Sequence, residues 1–130
     1  LSAHWQSEVV VVKYNIIKAV SGIVIIVKDP DVSANFYENL GFIVTKRESG
    51  FSSVRSNWFW IDFVRSNRLR NTGNDNQYIY LSVDDIDDTY EKLKANKLHP
   101  TKPEDFNATG RRETMISDPD GYKLVFFKKK

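Results

Sequence analysis

A chain of 130 residues that is 41% hydrophobic has the length for one globular domain and the composition to build a core, which excludes a disordered or fibrous protein. Its 19 basic and 17 acidic residues leave a net charge of only +2, and three of the positive charges sit in the Lys128–Lys130 tail. That balance gives no electrostatic footprint for nucleic acid, and the lack of cysteine excludes disulfides, thiolate metal sites and a cysteine nucleophile.

From the N-terminus, the most apolar stretch, Val9 to Val27, is broken by Lys13, Asn15, Lys18 and Ser21, so it does not read as a membrane span. It also lacks the charged start and small-residue cleavage site of a signal peptide. The expectation is a soluble, cytoplasmic protein. Residues 1–16 read as an extension, either a tail or an extra strand through Val9 to Val12, and residues 17–130 as a single domain.

The domain repeats itself. Ile23, Ile25, Val27 and Asp29 recur at the same spacing as Ile79, Leu81, Val83 and Asp85, and each strand leads into a helix bearing Tyr-Glu-x-Leu, at Tyr37–Leu40 and Tyr90–Leu93. Such self-similarity marks a duplicated supersecondary unit. The first helix places Val32, Phe36 and Leu40 on one face, and the second Ile86, Tyr90 and Leu93. Asp29 or Asp31 caps the first and Asp85 the second. Gly41 ends the first helix, and Asn96-Lys97 ends the second where glycine would be more comfortable.

Further strands are expected over Phe42–Thr45, Phe51–Arg55 and Trp58–Val64 in the first copy, about 20–66. The polar run 67–76 reads as a linker. The second copy, about 77–128, carries a long loop from His99 to Gly110 and then strands over Glu113–Ile116 and Tyr122–Phe127.

Side chains alternate across a strand, which splits each one into a core face and an open face. Ile23, Ile25, Val27, Phe59, Ile61, Phe63, Ile79, Leu81, Val83, Thr114, Ile116, Leu124 and Phe126 go inward. The open set is Gly22, Val24, Ile26, Trp58, Trp60, Asp62, Tyr78, Tyr80, Ser82, Glu113, Met115, Lys123, Val125 and Phe127. An aromatic lining with few polar anchors suits a small-molecule pocket. The same aromatics can instead fill a dimer interface or a second core.

Three segments carry a family resemblance: Gly22–Asp29, Phe36–Phe42 (Phe-Tyr-Glu-Asn-Leu-Gly-Phe) and the turn Asp118-Pro119-Asp120-Gly121 with the strand after it. Together they resemble the vicinal oxygen chelate family of glyoxalases, extradiol dioxygenases and bleomycin-resistance proteins. The resemblance implies an α+β fold of two βαβββ repeats, forming a curved, barrel-like mixed sheet with a helix packed outside each repeat. It also implies that the open face holds metal and substrate in the metalloenzymes. The metal-ligand positions are Gly22, Asp62, Tyr78 and Val125 here, and the last of them is glutamate in the family's metalloenzymes. One carboxylate cannot replace three or four donors, so neither metal nor cofactor is expected. His4 and His99 lie away from these positions and read as solvated. Gly22 either leaves room for a bulkier ligand or reflects the loss of the metal role.

The resemblance is nearest to the metal-free, bleomycin-resistance-like branch. The expected function is metal-free binding of a small molecule, an antibiotic or aromatic metabolite, by a homodimer. The ligand site is expected to comprise Trp58, Trp60, Asp62, Tyr78, Tyr80, Arg111, Arg112, Glu113, Met115 and Val125. With Arg55 nearby, the arginines suit a planar ligand that is neutral or anionic, although solvation alone also accounts for the Arg111–Arg112 pair. A sequence pI near 8.8 argues against cationic bleomycin itself. The alternatives are a metal-independent lyase or isomerase using Asp62 and Glu113 as acid and base with Tyr78 as hydrogen-bond partner, or a non-catalytic interaction module whose cavity has collapsed.

Overall fold

The computed structural model of the chain describes residues 12–66 and 77–130. The expected linker 67–76, His4 and the strand through Val9 to Val12, save Val12 itself, lie outside the described residues. Residues 12–21 carry no strand.

The first repeat comprises β1 (Gly22–Val27), α1 (Pro30–Leu40), β2 (Ile43–Glu48), β3 (Phe51–Ser56) and β4 (Phe59–Arg65). The second comprises β5 (Tyr78–Ser82), α2 (Ile86–Ala95), β6 (Glu104–Phe106), β7 (Arg111–Ser117) and β8 (Lys123–Lys129). Each repeat is one four-stranded mixed sheet, ordered β1-β4-β3-β2 and β5-β8-β7-β6. The first strand runs parallel to the last in both, with Gly22 opposite Trp60 and Tyr78 opposite Lys123. The fold is therefore the α+β duplication expected, but the two sheets do not close into a barrel. Residues Glu104–Phe106 form a short strand inside what reads as a loop from the sequence. Three residues without apolar alternation give no periodic signal, and their place is set by pairing with β7.

Local chemistry sets the helix ends. The Asp29 side chain accepts from Asp31 N–H and Asp85 from Asp88 N–H, so Asp29 rather than Asp31 is the first cap. Gly41 adopts φ 118° at the end of α1, while the second helix places its left-handed residue at Lys97, φ 60°. The buried face of α1 is Ser33, Ala34 and Tyr37, with Phe36 and Leu40 partly covered. Val32, expected on that face, is 47% exposed. The helix is rotated about its axis relative to the Val32–Phe36–Leu40 stripe because Tyr37, not Phe36, enters the core.

Both repeats contribute to one core. Ile25, Val27, Tyr37, Val54, Ile61 and Phe63 of the first meet Ile86, Leu93, Ile116, Leu124 and Phe126 of the second. Four hydrogen bonds stitch the Asp118–Tyr122 turn to the first repeat. Lys28 N–H and the Ser33 hydroxyl donate to Asp120, the Tyr37 hydroxyl donates to Asp118 at 2.7 Å, and the Tyr122 hydroxyl donates to the Ile26 carbonyl. Asp118 in turn accepts the backbone N–H groups of Asp120 and Tyr122. Burial, with the Asp118 charge adding to it, holds the Tyr37 phenol well above its ordinary range, so it remains a donor. The Asp-Pro-Asp-Gly motif thus turns the chain and joins the repeats.

Candidate functional site

Most core and open faces fall as the alternation predicts, although Ile23, expected inward, is 37% exposed. On the first sheet Ile61 and Phe63 are buried, while Trp58 and Trp60 face outward at 75% and 44% exposure. Trp58 belongs to the β3–β4 turn rather than to β4. Asp62 is half-buried, with Oδ1 accepting from the Ser53 hydroxyl on the neighbouring strand. Arg55, the Cα partner of Trp60, donates to the Asn57 carbonyl at 2.8 Å.

On the second sheet Tyr78, Tyr80, Glu113, Met115 and Val125 line one cleft of about 280 Å³ with Phe106, Lys102 and Glu104. Val125 lies on the open side as expected but is only 3% exposed, closed over by its neighbours to make an apolar floor. The Arg111 guanidinium lies 4.9 Å over the Tyr80 ring and 5.6 Å over Phe127, and donates to Glu113 at 3.2 Å. Stacking and ion pairing together immobilise this arginine.

Arg112 is a correction to the expected site. It follows Arg111 on β7 and so points to the opposite, helix-covered face, where it pairs with Asp87 of α2 at 2.9 Å and with Asp105 of β6 at 3.1 Å. Its hydrogen bond, followed by that of Lys130, holds the Asp105 carboxyl below the usual carboxylate range. Arg112 anchors β6 and does not line the open face, and Arg111 is already partnered by Glu113.

The space beneath Gly22 is a second correction. The position is not left open for a ligand, because a Cβ there would meet the Trp60 indole at 2.4 Å. Indole occupies the place of the first metal-ligand side chain. Tyr78 is half-exposed, Val125 has no donor atom, and among the described residues no three histidine, cysteine or acidic side chains converge in a way that could hold a metal ion. The donor set does not fit the divalent metal of the family's enzymes.

The site residues divide into two half-sites. Trp58, Trp60 and Asp62 belong to the first repeat, whereas Tyr78, Tyr80, Glu113, Met115 and Val125 line a cleft on the second sheet that includes none of those three. Sequence reasoning also missed a cleft of about 570 Å³ between the repeats, where Ile23, Phe42, Phe59 and Ile61 face Ile79 and Leu81. Alternation assigns all of these but Phe42 to the core and carries no sign that the core is split there.

The chain matches the model of the Glyoxalase/Bleomycin resistance protein/Dioxygenase superfamily over residues 19–126. Among curated proteins none matches it by sequence. Among solved structures, a superfamily member from Sphaerobacter thermophilus DSM 20745 is similar at TM-score 0.72 and 28% identity, over 87% of this chain and 98% of that one. A bleomycin-binding protein complexed with bleomycin is similar at 0.68 and 21%, over 87% and 100%. The bleomycin resistance determinant encoded on transposon Tn5 gives 0.68 and 21%, over 87% and 99%. With the repeats, the turn motif and the match agreeing over most of its length, the chain belongs to the glyoxalase/bleomycin resistance protein/dioxygenase superfamily.

Proposed function

We propose that this protein binds a planar aromatic small molecule without a metal ion and sequesters it unchanged, the ligand being an antibiotic or an aromatic metabolite. The observation that carries the reading is the Gly22–Trp60 contact. The position that offers a metal ligand in the family's enzymes carries no side chain, and an aromatic platform covers it. Small-molecule binding is consistent with the superfamily and with the bleomycin-bound structural neighbour. With Arg111 and Arg112 already paired, the aromatics favour a neutral ring over an anionic one.

A homodimer completes the reading. Val24, Ile26, Trp58, Trp60, Tyr78 and Tyr80 leave a large apolar area exposed on the open faces of one chain. Large exposed apolar surfaces on soluble proteins mark interaction sites, and β1 and β5 are edge strands, each paired on one side only among the described residues. A second copy that sets the first sheet of one protomer against the second sheet of its partner brings the half-sites together. No helix among the described residues is long and apolar enough to cross a membrane, and the balanced charge gives no reason to invoke nucleic acid. We assign the protein to the cytoplasm on the sequence features alone.

Catalysis by Asp62 and Glu113 gains less support, since Glu113 is tied to Arg111. The test is equilibrium binding of a panel of planar compounds to chelator-treated protein, with recovery of the bound compound. Unchanged ligand, lost from Trp60→Ala, supports sequestration. Turnover abolished by Asp62→Asn contradicts it.

A further inference from the structure

The Trp60 indole is seated on Gly22. The two residues are Cα partners in the parallel β1–β4 pair, and the Trp60 backbone N–H donates to the Ser21 carbonyl at 3.0 Å. A Cβ built on Gly22 would lie 2.4 Å from the indole Nε1 and 2.5 Å from both Cδ1 and Cε2. A point so nearly equidistant from three consecutive ring atoms lies over the ring face; in the ring plane beyond Nε1, the other two atoms would be markedly farther away. One indole face therefore rests against the glycine, while the residue as a whole remains 44% exposed.

Asp62 stands two residues along the same face, about 7 Å up the strand. The Ser53 hydroxyl donates to its Oδ1. Among the described residues it has no other hydrogen-bond partner and no ion pair, and Arg55, the arginine opposite Trp60, is turned to the Asn57 carbonyl. A carboxylate has acceptor sites for about four donors, so Asp62 is oriented by one bond and left with capacity for another. The second sheet differs here, because its open-face carboxylate, Glu113, is neutralised by Arg111.

A free aromatic face beside an uncompensated carboxylate discriminates among flat ligands. An unsubstituted ring gains stacking alone, an anionic ring is repelled, and a ring with an N–H at its edge gains stacking and a charge-assisted hydrogen bond.

We propose that the open face of the first repeat recognises an amino-substituted heteroaromatic ring, stacked on Trp60 with its N–H donating to Asp62. The inference rests on the binding reading above and names the ligand class within it. The site is assembled from Gly22, which lets the indole lie down, Trp60 as platform, Asp62 as acceptor and Ser53 as its orienting donor.

The test compares three compounds sharing one ring system (aminobenzothiazole, benzothiazole and benzothiazole carboxylate) by ligand-observed NMR titration of the full chain. A hydrogen bond to a charged acceptor is worth about tenfold or more in affinity. The amino compound is expected to bind tighter than the parent by at least about that factor, and the carboxylate to bind weakest. Asp62→Asn should abolish most of the preference of the amino over the parent compound, and an unchanged circular dichroism spectrum and melting transition check separately that the variant is folded. Trp60→Ala should lose all three. Equal binding of the amino and parent compounds, a preference that survives Asp62→Asn, or tightest binding by the carboxylate would each overturn the inference while leaving the binding reading in place. Failure of all three to bind would overturn both.

Discussion

The Tyr37 hydroxyl donates to the Asp118 carboxylate at 2.7 Å across the boundary between the two repeats, with both residues buried. The Tyr37 ring also packs edge-on against Phe42 at 5.5 Å and tilted against Phe63 at 4.9 Å. Tyr37→Phe keeps those ring contacts and removes the donor, leaving Asp118 with one partner fewer. The expected loss is about 1–3 kcal/mol of unfolding free energy, measured by urea denaturation with an unchanged m-value.

The same carboxylate makes stability depend on pH. Burial raises the Asp118 carboxyl above its ordinary value, against hydrogen bonds from Tyr37, Tyr122 and Asp120 that favour its charged form. A group raised on folding holds its proton more tightly in the native state. Its contribution is fully present below the ordinary carboxylate pKa and is lost as pH rises through the raised value. Melting temperature followed across that window should show this fall superimposed on the other carboxylates, and Asp118→Asn should remove it. A profile unchanged by Asp118→Asn would contradict the assignment.

Gly22→Ala should displace the Trp60 indole, because no Cβ fits at 2.4 Å from Nε1 without movement. The expected result is a changed tryptophan emission spectrum and a stability loss of about 1–3 kcal/mol. Gly22→His should not create nickel or zinc affinity, since Tyr78 and Val125 still supply no matching donors.

Trp60→Ala separates platform from core. A fully buried tryptophan costs about 3–5 kcal/mol on truncation. Trp60, at 44% exposure, should cost clearly less than that lower bound while abolishing binding of planar compounds. Trp58→Ala, at 75% exposure, should change stability by no more than about 0.5 kcal/mol. A loss for Trp60→Ala in the full core range would favour the collapsed, non-binding module.

The repeats, caps, turn and face of nearly every strand residue were legible because each rests on short-range pattern: period-two alternation, Asp before a helix, glycine after one. Besides the short strand β6 and the cleft between the repeats, three features were not. Arg112 sits beside Arg111 in sequence, and only the alternation of β7 combined with the position of Asp87 and Asp105 assigns it to the helix side. The contact of Gly22 with Trp60 depends on the register of two strands far apart in the chain. Val32 satisfied a helical stripe that α1 did not use, because the hydrogen bond from Tyr37 to Asp118 and its ring contacts fix the rotation of the helix. Alternation gives the face of a residue, not what fills the space above it.

The most direct test of the central claim is a thermal-shift measurement on chelator-treated protein, adding nickel, zinc, manganese and iron(II) in one arm and planar amino-heterocycles without metal in the other. A ligand that binds only the native state stabilises it by about 2.7 kcal/mol at a hundredfold excess over its dissociation constant. A rise with an organic compound in the metal-free arm, absent in Trp60→Ala, is the predicted result. Stabilisation by a metal alone would contradict it and return Asp62 and Tyr78 to the role of ligands.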